Sequence, residues 1–139
     1  MGEKTNEIAV KESAEVLINE TTIKNLILVI RGKQVMLDSD LAMLYHVETF
    51  NLNKAMKRNV DRFPEDFCFQ LTKEEYKNLI FQSGISSLQK SENKHGGRRK
   101  LPYVFTEQGI SMLSAVLRSE IAIKVSVKIM RTFVEMRHF

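Results

Sequence analysis

The sequence contains no tryptophan, one cysteine and two prolines in 139 residues. The lone cysteine, Cys68, cannot form a disulfide within the chain, and its position between two phenylalanines is typical of a buried thiol. No apolar run approaches the roughly 20 residues that a membrane-spanning helix needs. Residues 1–10 lack a basic region followed by a long apolar stretch, so no signal peptide is predicted. We therefore expect a cytoplasmic protein without a membrane partner.

The residue groups of common catalytic and cofactor sites are also missing. The three histidines are scattered without metal-ligand spacing, and there is no Cys-x-x-Cys pair. The Gly96–Gly97 pair does not follow a strand in a βαβ unit, which excludes a dinucleotide fingerprint. The acids Asp61, Glu65 and Asp66 flank Arg62 and favour a salt-bridge cluster at a helix end over paired catalytic carboxylates. We predict no enzyme, no cofactor and no metal.

Charge is distributed unevenly along a chain whose size suits a single domain. The net charge of the whole chain is +4. Residues 1–20 contain five glutamates and two lysines and have a net charge of −3. The remainder is therefore clearly basic, which suits a polyanionic partner. Charge of this size does not by itself establish such a partner.

Residues 38–64 have the pattern of a helix–turn–helix. The first helix is predicted to be capped by Ser39, with Asp40 in its first turn. Ala42 is the small residue where the helices would cross, and His46, four positions later, would adopt the left-handed backbone of the turn. The second helix is predicted from Thr49 to about Asn59. An ordinary helical hairpin with a solvated basic face is the alternative interpretation.

The outer face of that second helix is polar and cationic. Thr49, Asn51 and Lys54 are candidates for base reading, because the N-terminal part of a recognition helix approaches the groove floor. Arg58 is a candidate for phosphate or for a pairing with Asp61 or Glu65. Phe50 is expected either to touch a thymine methyl or to pack in the turn. The full set of candidates on this helix is Thr49, Asn51, Asn53, Lys54, Lys57 and Arg58.

Two strand–cap–helix units and a hairpin are predicted around this motif. The hairpin has strands at 24–30 and 34–37 and a solvated turn at Gly32. The first unit is a strand at 67–71 followed by a helix with a capping box of Thr72 and Glu75. The second is a strand at 103–105 with Thr106 capping a helix over about 107–118. We expect these two strands to lie close together.

A basic, glycine-containing loop separates the two units. Serines, glycines and charges dominate 83–100, which is typical of a surface loop. Its glycines would allow close approach to a phosphate backbone. The predicted phosphate contacts are Lys94, Arg98, Arg99 and Lys100.

The last segment is predicted to be a helix from about Glu120 to Arg137 with two apolar faces. One face, from Ile121 to Met136, can cover the core of the domain. The second contains Ile123, Val127, Met130 and Val134 and would be left without a partner. A homodimer would cover it, and the alternative is that 16–18 or the hairpin folds over it in a monomer.

The motifs together resemble the ORF-six-N domain, a DNA-binding module of phages, prophages and bacteria that is related to the KilA-N and Bro-N domains. The resemblance covers about 23–137. Its two most specific blocks run from Arg58 to Thr72 (RNVDRFPEDFCFQLT) and from Gly96 to Gly109 (GGRRKLPYVFTEQG). The resemblance implies a DNA-binding protein of the antirepressor type.

These observations define the expected protein. The fold is α+β: a small winged-type domain with an N-terminal hairpin, a helix–turn–helix, two further strand–helix units and a long C-terminal helix. We divide the chain into an acidic leader (1–22), a DNA-binding domain (23–118) and a C-terminal helix for dimerisation (119–139). The expected function is phage-type binding of double-stranded DNA, with 49–58 in the major groove and 94–100 on phosphates. The alternative is an antirepressor that binds a phage repressor and not DNA.

Overall fold

The computed structural model describes residues 19–83 and 100–137. The elements, numbered over these residues, are α1 (Glu20–Leu26), β1 (Leu28–Ile30), β2 (Lys33–Leu37), α2 (Asp38–Tyr45), α3 (Thr49–Arg58), a 3₁₀ turn (Val60–Arg62), β3 (Cys68–Gln70), α4 (Lys73–Ser83), β4 (Tyr103–Thr106), α5 (Glu107–Leu117) and α6 (Glu120–Met136). The expected α+β class is confirmed. None of the helices in this part of the chain is long and apolar enough to cross a membrane.

A four-stranded antiparallel sheet in the order β1-β2-β4-β3 divides the molecule into layers. Successive side chains of a strand point to opposite faces, so each strand contributes to two clusters. Met36 and Phe105 face the large helical core, whereas Val35 and Val104 face a smaller cluster. The sheet is therefore covered on both sides: α1, α2, α3, α5 and α6 contribute to the large core, and α4 covers the opposite face.

The predicted strand at 24–30 is wrong over its first part. Residues Glu20–Leu26 form a helix, and β1 is limited to Leu28–Ile30. Asn19 starts the helix because its side chain accepts a hydrogen bond from the Thr22 backbone N–H at 3.0 Å. Ile23 is fully buried in the helical core, so tertiary packing outweighs the preference of branched residues for strands.

The hairpin turn is at the predicted place, with Arg31 and Gly32 both at positive φ. Its prediction as a solvated turn is only partly correct. The Arg31 guanidinium forms two hydrogen bonds with the Glu75 carboxylate, at 2.9 and 3.0 Å, and lies 4.2 Å from the centre of the Phe69 ring. This pairing connects the β1–β2 turn to the start of α4.

The two strand–cap–helix units are confirmed. Thr72 and Glu75 form the predicted reciprocal capping box, and Thr106 accepts a hydrogen bond from the Gly109 N–H. Strands β3 and β4 pair antiparallel, with Phe69 opposite Val104. Gly109 is required at the second junction because a Cβ there would clash with the Phe67 carbonyl oxygen.

Helix α6 occupies the predicted range and packs against the core, where it contacts α2. Val125, Ile129 and Phe133 are buried on its inner face. Ser126 forms a 2.8 Å hydrogen bond with the Tyr45 hydroxyl of α2, inside the core. Burial raises the pKa of Tyr45 to about 12, so this group stays protonated and the link between α2 and α6 is neutral.

Candidate functional site

Helices α2 and α3 are joined by the three residues His46, Val47 and Glu48. His46 adopts the predicted left-handed conformation, with φ 58° and ψ 41°, and its N–H bonds to carbonyls at the end of α2. The Val47 N–H donates to the Ala42 carbonyl at 3.0 Å, and its side chain packs against the core. Leu52 and Met56 anchor α3 from the inside. The tight turn therefore fixes α3 against α2.

Five side chains form what we call the outward face of α3. At about 100° per residue they span one arc of roughly a third of the helix circumference. All five are exposed: Phe50, Asn51, Lys54, Lys57 and Arg58. Helix α3 contains no acidic residue, and no side chain caps its N-terminus. The face thus carries three cations, Lys54, Lys57 and Arg58, in its C-terminal half, and the uncharged Phe50 and Asn51 at its N-terminal end.

The outward face includes four of the six residues that the sequence predicted on this helix. Asn53 lies beside the arc and is half-buried: its side-chain N–H donates to the Asp38 carboxylate at 2.8 Å. Within the described residues, its buried carbonyl oxygen has no hydrogen-bond partner. Thr49 is also half-buried, on the side of the helix next to the core. The structure thus groups Asn51, Lys54, Lys57 and Arg58, and separates Thr49 and Asn53 from them.

Asp38 anchors this helix, and the sequence pattern did not identify it. Its fully buried carboxylate accepts from the Ser39 N–H at 2.7 Å, from Asn53 and from the Tyr103 N–H at 3.1 Å. The predicted Ser39 cap is therefore wrong: α2 already starts at Asp38, no side chain caps its N-terminus, and the Ser39 N–H donates to the Asp38 carboxylate. An aspartate at a strand–helix junction was the available signal. Asp38 joins α2, α3 and β4 at one buried point.

Two lysines of the outward face lie close to aromatic rings. The Lys54 ammonium is 5.9 Å from the centre of the Phe50 ring, and that of Lys57 is 5.5 Å from the Tyr103 ring. Both distances are within the range of cation–π attraction. Phe50 is 68% exposed, so it does not pack in the turn, which was one of the two expectations for it.

Arginines at the end of α3 are not engaged with the acids around Pro64. Among the described residues, the side chains of Arg58 and Arg62 form no ion pair or hydrogen bond. The salt-bridge cluster predicted from Asp61, Glu65 and Asp66 is therefore not present. Both arginines are exposed, and their charges extend the cationic surface beyond the last turn of α3.

Of the predicted phosphate contacts in the basic loop, the structure describes only Lys100. Lys94, Arg98 and Arg99 lie outside the described residues, and their role stays a prediction. Lys100 is exposed, two residues before the buried Pro102 that leads into β4. Since the Tyr103 N–H bonds to Asp38 and the Tyr103 ring lies near Lys57, this end of the loop is close to α3.

Burial raises the pKa values of two titratable groups near α2 and α3. Burial and the neighbouring charge of Asp38 raise the pKa of Asp40 to about 6. Burial, with a smaller effect of Asp38, raises the pKa of the Cys68 thiol to about 12, which keeps it protonated and unreactive. No group of three or more potential metal ligands occurs in the described part of the chain.

A second exposed feature lies on α6. Ile123, Val127 and Val134 are 52%, 44% and 44% exposed, in agreement with the predicted second apolar face. With Met130 and residues of α5 they line an open groove of about 540 Å³. Lys124, Lys128 and Arg131 border an adjoining groove of about 280 Å³.

A comparison with family models matches the ORF6N domain over residues 25–116. The chain belongs to this family, which suggests a phage-type regulatory protein. Family membership does not distinguish a DNA partner from a protein partner. Comparisons with curated proteins and with solved structures gave no significant match.

Proposed function

We propose that the protein binds double-stranded DNA and reads the major groove with α3. The observation that carries this proposal is the outward face of α3, which presents Lys54, Lys57 and Arg58 on a helix without acids. A helix of this kind fits the major groove, and its cations neutralise phosphates at the edges of that groove.

The rigid mounting of α3 supports the same proposal. Sequence-specific contacts need a helix whose position does not vary, since a base edge is read by hydrogen bonds with narrow distance limits. Asp38 holds the middle of α3 through Asn53, and the left-handed turn at His46 holds its start. Asn51 then remains exposed at one edge of the face, where an amide is free to pair with adenine.

The basic loop would add affinity without base preference. We propose that Lys94, Arg98, Arg99 and Lys100 contact phosphates, as expected from the sequence. Replacing Arg98, Arg99 and Lys100 with alanine should weaken binding to all duplexes about equally and lower the salt dependence. A changed base preference with unchanged salt dependence would contradict this role.

A homodimer through α6 is the second part of the proposal. The exposed apolar residues Ile123, Val127 and Val134 follow one another along the helix, and no described residue covers them. Isologous pairing of two copies would bury this face and present two α3 helices to the DNA. The competing arrangement, in which 16–18 covers the face, lies outside the described residues.

A protein partner is the second candidate function, and the groove on α6 favours it. In this role the protein would act as an antirepressor, binding a phage repressor through an apolar surface and leaving DNA uncontacted. The two functions differ in their response to salt, because phosphate contacts weaken steeply as salt rises whereas apolar contacts do not.

Selection from a random duplex pool at low salt tests the proposal. Enrichment of a sequence motif, and loss of that motif's advantage in Asn51→Ala, is the expected result. Failure to retain any duplex at low salt would overturn DNA binding and leave the protein-interaction function.

A further inference from the structure

Phe50 is an exposed apolar ring at the N-terminal end of the outward face, one turn before its first lysine. It is 68% exposed, and on the helical arc it lies between Lys57 on one side and Lys54 on the other. Phe50 is not part of the core, since the buried residues of α3 are Leu52 and Met56. The only ring contact it makes among the described residues is with the Lys54 ammonium, at 5.9 Å.

The position of Phe50 directs its ring beyond the start of the helix. It is the second residue of α3, and side chains of an α-helix tilt toward the N-terminus. The first turn itself has no acidic residue, and the exposed Glu48 precedes it at the N-cap. When a helix enters the major groove by its N-terminal end, a residue at this place meets the base edges first.

The chemistry of the ring limits what it can recognise. Phenylalanine has no hydrogen-bonding group, and the one apolar group that base pairs present in the major groove is the thymine 5-methyl. Water excluded between a methyl and a ring contributes a favourable free energy that a bare pyrimidine edge cannot supply. Lys54 and Lys57, about one and two turns further along the helix, would hold phosphates of the adjoining backbone.

We propose that Phe50 recognises the 5-methyl group of a thymine and sets the base preference at one position of the DNA site. This inference rests on the proposed function and makes it more specific. It assigns Phe50, which carries no charge, a role in specificity, while the lysines around it supply affinity for any sequence.

Replacement of thymine by deoxyuridine tests the contact, because it removes only the methyl group. The probe is a duplex enriched from the random pool, resynthesised with each thymine replaced singly. For the wild-type protein, one such replacement should raise Kd about fourfold, the effect of one buried methyl-sized group. Phe50→Ala should bind the thymine and uracil forms of that duplex equally, and Phe50→Leu should retain part of the discrimination.

Phe81→Ala provides the matched control. Phe81 is 86% exposed and belongs to α4, on the opposite side of the sheet from α3. This variant should leave both the affinity and the discrimination unchanged. Circular dichroism of all variants should agree with the wild type, since neither ring is part of the core.

The outcomes separate this inference from the proposed function. If no duplex is enriched, DNA binding itself fails, and the role of Phe50 fails with it. If a duplex is enriched but every deoxyuridine form binds as tightly as the parent, DNA binding stands and the methyl contact is overturned. Equal discrimination by the wild type and Phe50→Ala would likewise overturn it.

Discussion

The side-chain amide of Asn53 donates a hydrogen bond of 2.8 Å to the buried carboxylate of Asp38. Asn53 belongs to α3, and Asp38 begins α2 at the end of β2. The same carboxylate oxygen accepts the N–H of Tyr103 in β4. One buried charge thus positions the helix that carries the candidate DNA-binding face.

Asn53 and Asn51 should therefore differ in what their loss affects. Asn53→Ala leaves a buried carboxylate without one of its donors and should lower the free energy of unfolding by about 1–3 kcal/mol. Asn51→Ala removes an exposed amide and should change stability by less than about 0.5 kcal/mol, while reducing DNA affinity. Urea denaturation of the two variants checks the first effect. Equal stabilities would show that the Asp38 bond does not hold α3.

Gly109 should not tolerate a side chain. A Cβ there would overlap the Phe67 carbonyl oxygen, which also accepts the Thr106 N–H. Gly109→Ala should cost about 1–3 kcal/mol or more, because backbone must move to relieve the clash. Gly32→Ala is the control: its Cβ would meet open space, and only the left-handed φ is strained, at about 1 kcal/mol. A lower unfolding temperature for Gly32→Ala than for Gly109→Ala would contradict the clash at Gly109.

Asp40 should make the protein less stable as pH rises. Its pKa is raised by burial and by Asp38 from 3.8 to about 6, so the folded state binds the proton more tightly than the unfolded state. This favours the folded state at pH 4, and the advantage is lost progressively as the pH rises to about 6. Asp40→Asn removes that dependence. The stability of the variant relative to the wild type should increase by about 1–2 kcal/mol from pH 4 to pH 7, after allowance for partial solvent screening.

A profile of Asp40→Asn that runs parallel to the wild type would show that Asp40 does not titrate in this range.

The apolar face of α6 should control oligomeric state. Sedimentation equilibrium is expected to show a dimer, and Val127→Glu with Val134→Glu should convert it into a folded monomer. These two residues are chosen because Met130 also packs against the core. Ser111→Glu, at the α5 edge of the same groove, should weaken the dimer less. A wild type that stays monomeric at high micromolar concentration contradicts the dimer.

Local chemistry made much of this fold predictable. The capping box of Thr72 and Glu75, the Thr106 cap and the left-handed His46 depend on neighbours within a few residues, and the sequence displays these directly. The boundaries of α3 and α6 followed from periodicity and from the chain-breaking Pro64. The same periodicity predicted the two apolar faces of α6.

Long-range contacts account for what the sequence concealed. Residues 24–26 were assigned to a strand because of their branched neighbours, whereas packing in the core, where Ile23 is fully buried, makes this segment helical. Asp38 is separated by 15 residues from Asn53 and by 65 from Tyr103, so its place at a strand–helix junction was visible in the sequence but its partners were not. Arg31 and Glu75, 44 residues apart, were missed for the same reason.

The salt dependence of DNA binding tests the role of α3 most directly. For the wild type, log K should fall linearly with log salt concentration. Lys54→Ala with Lys57→Ala should make this negative slope shallower by about 2, since each lost phosphate contact changes it by about 0.9. The control pair Lys73→Ala with Lys77→Ala, exposed on α4 across the sheet, should leave the slope unchanged. An unchanged slope in the α3 variant, or an equal change in both pairs, would contradict DNA recognition by α3.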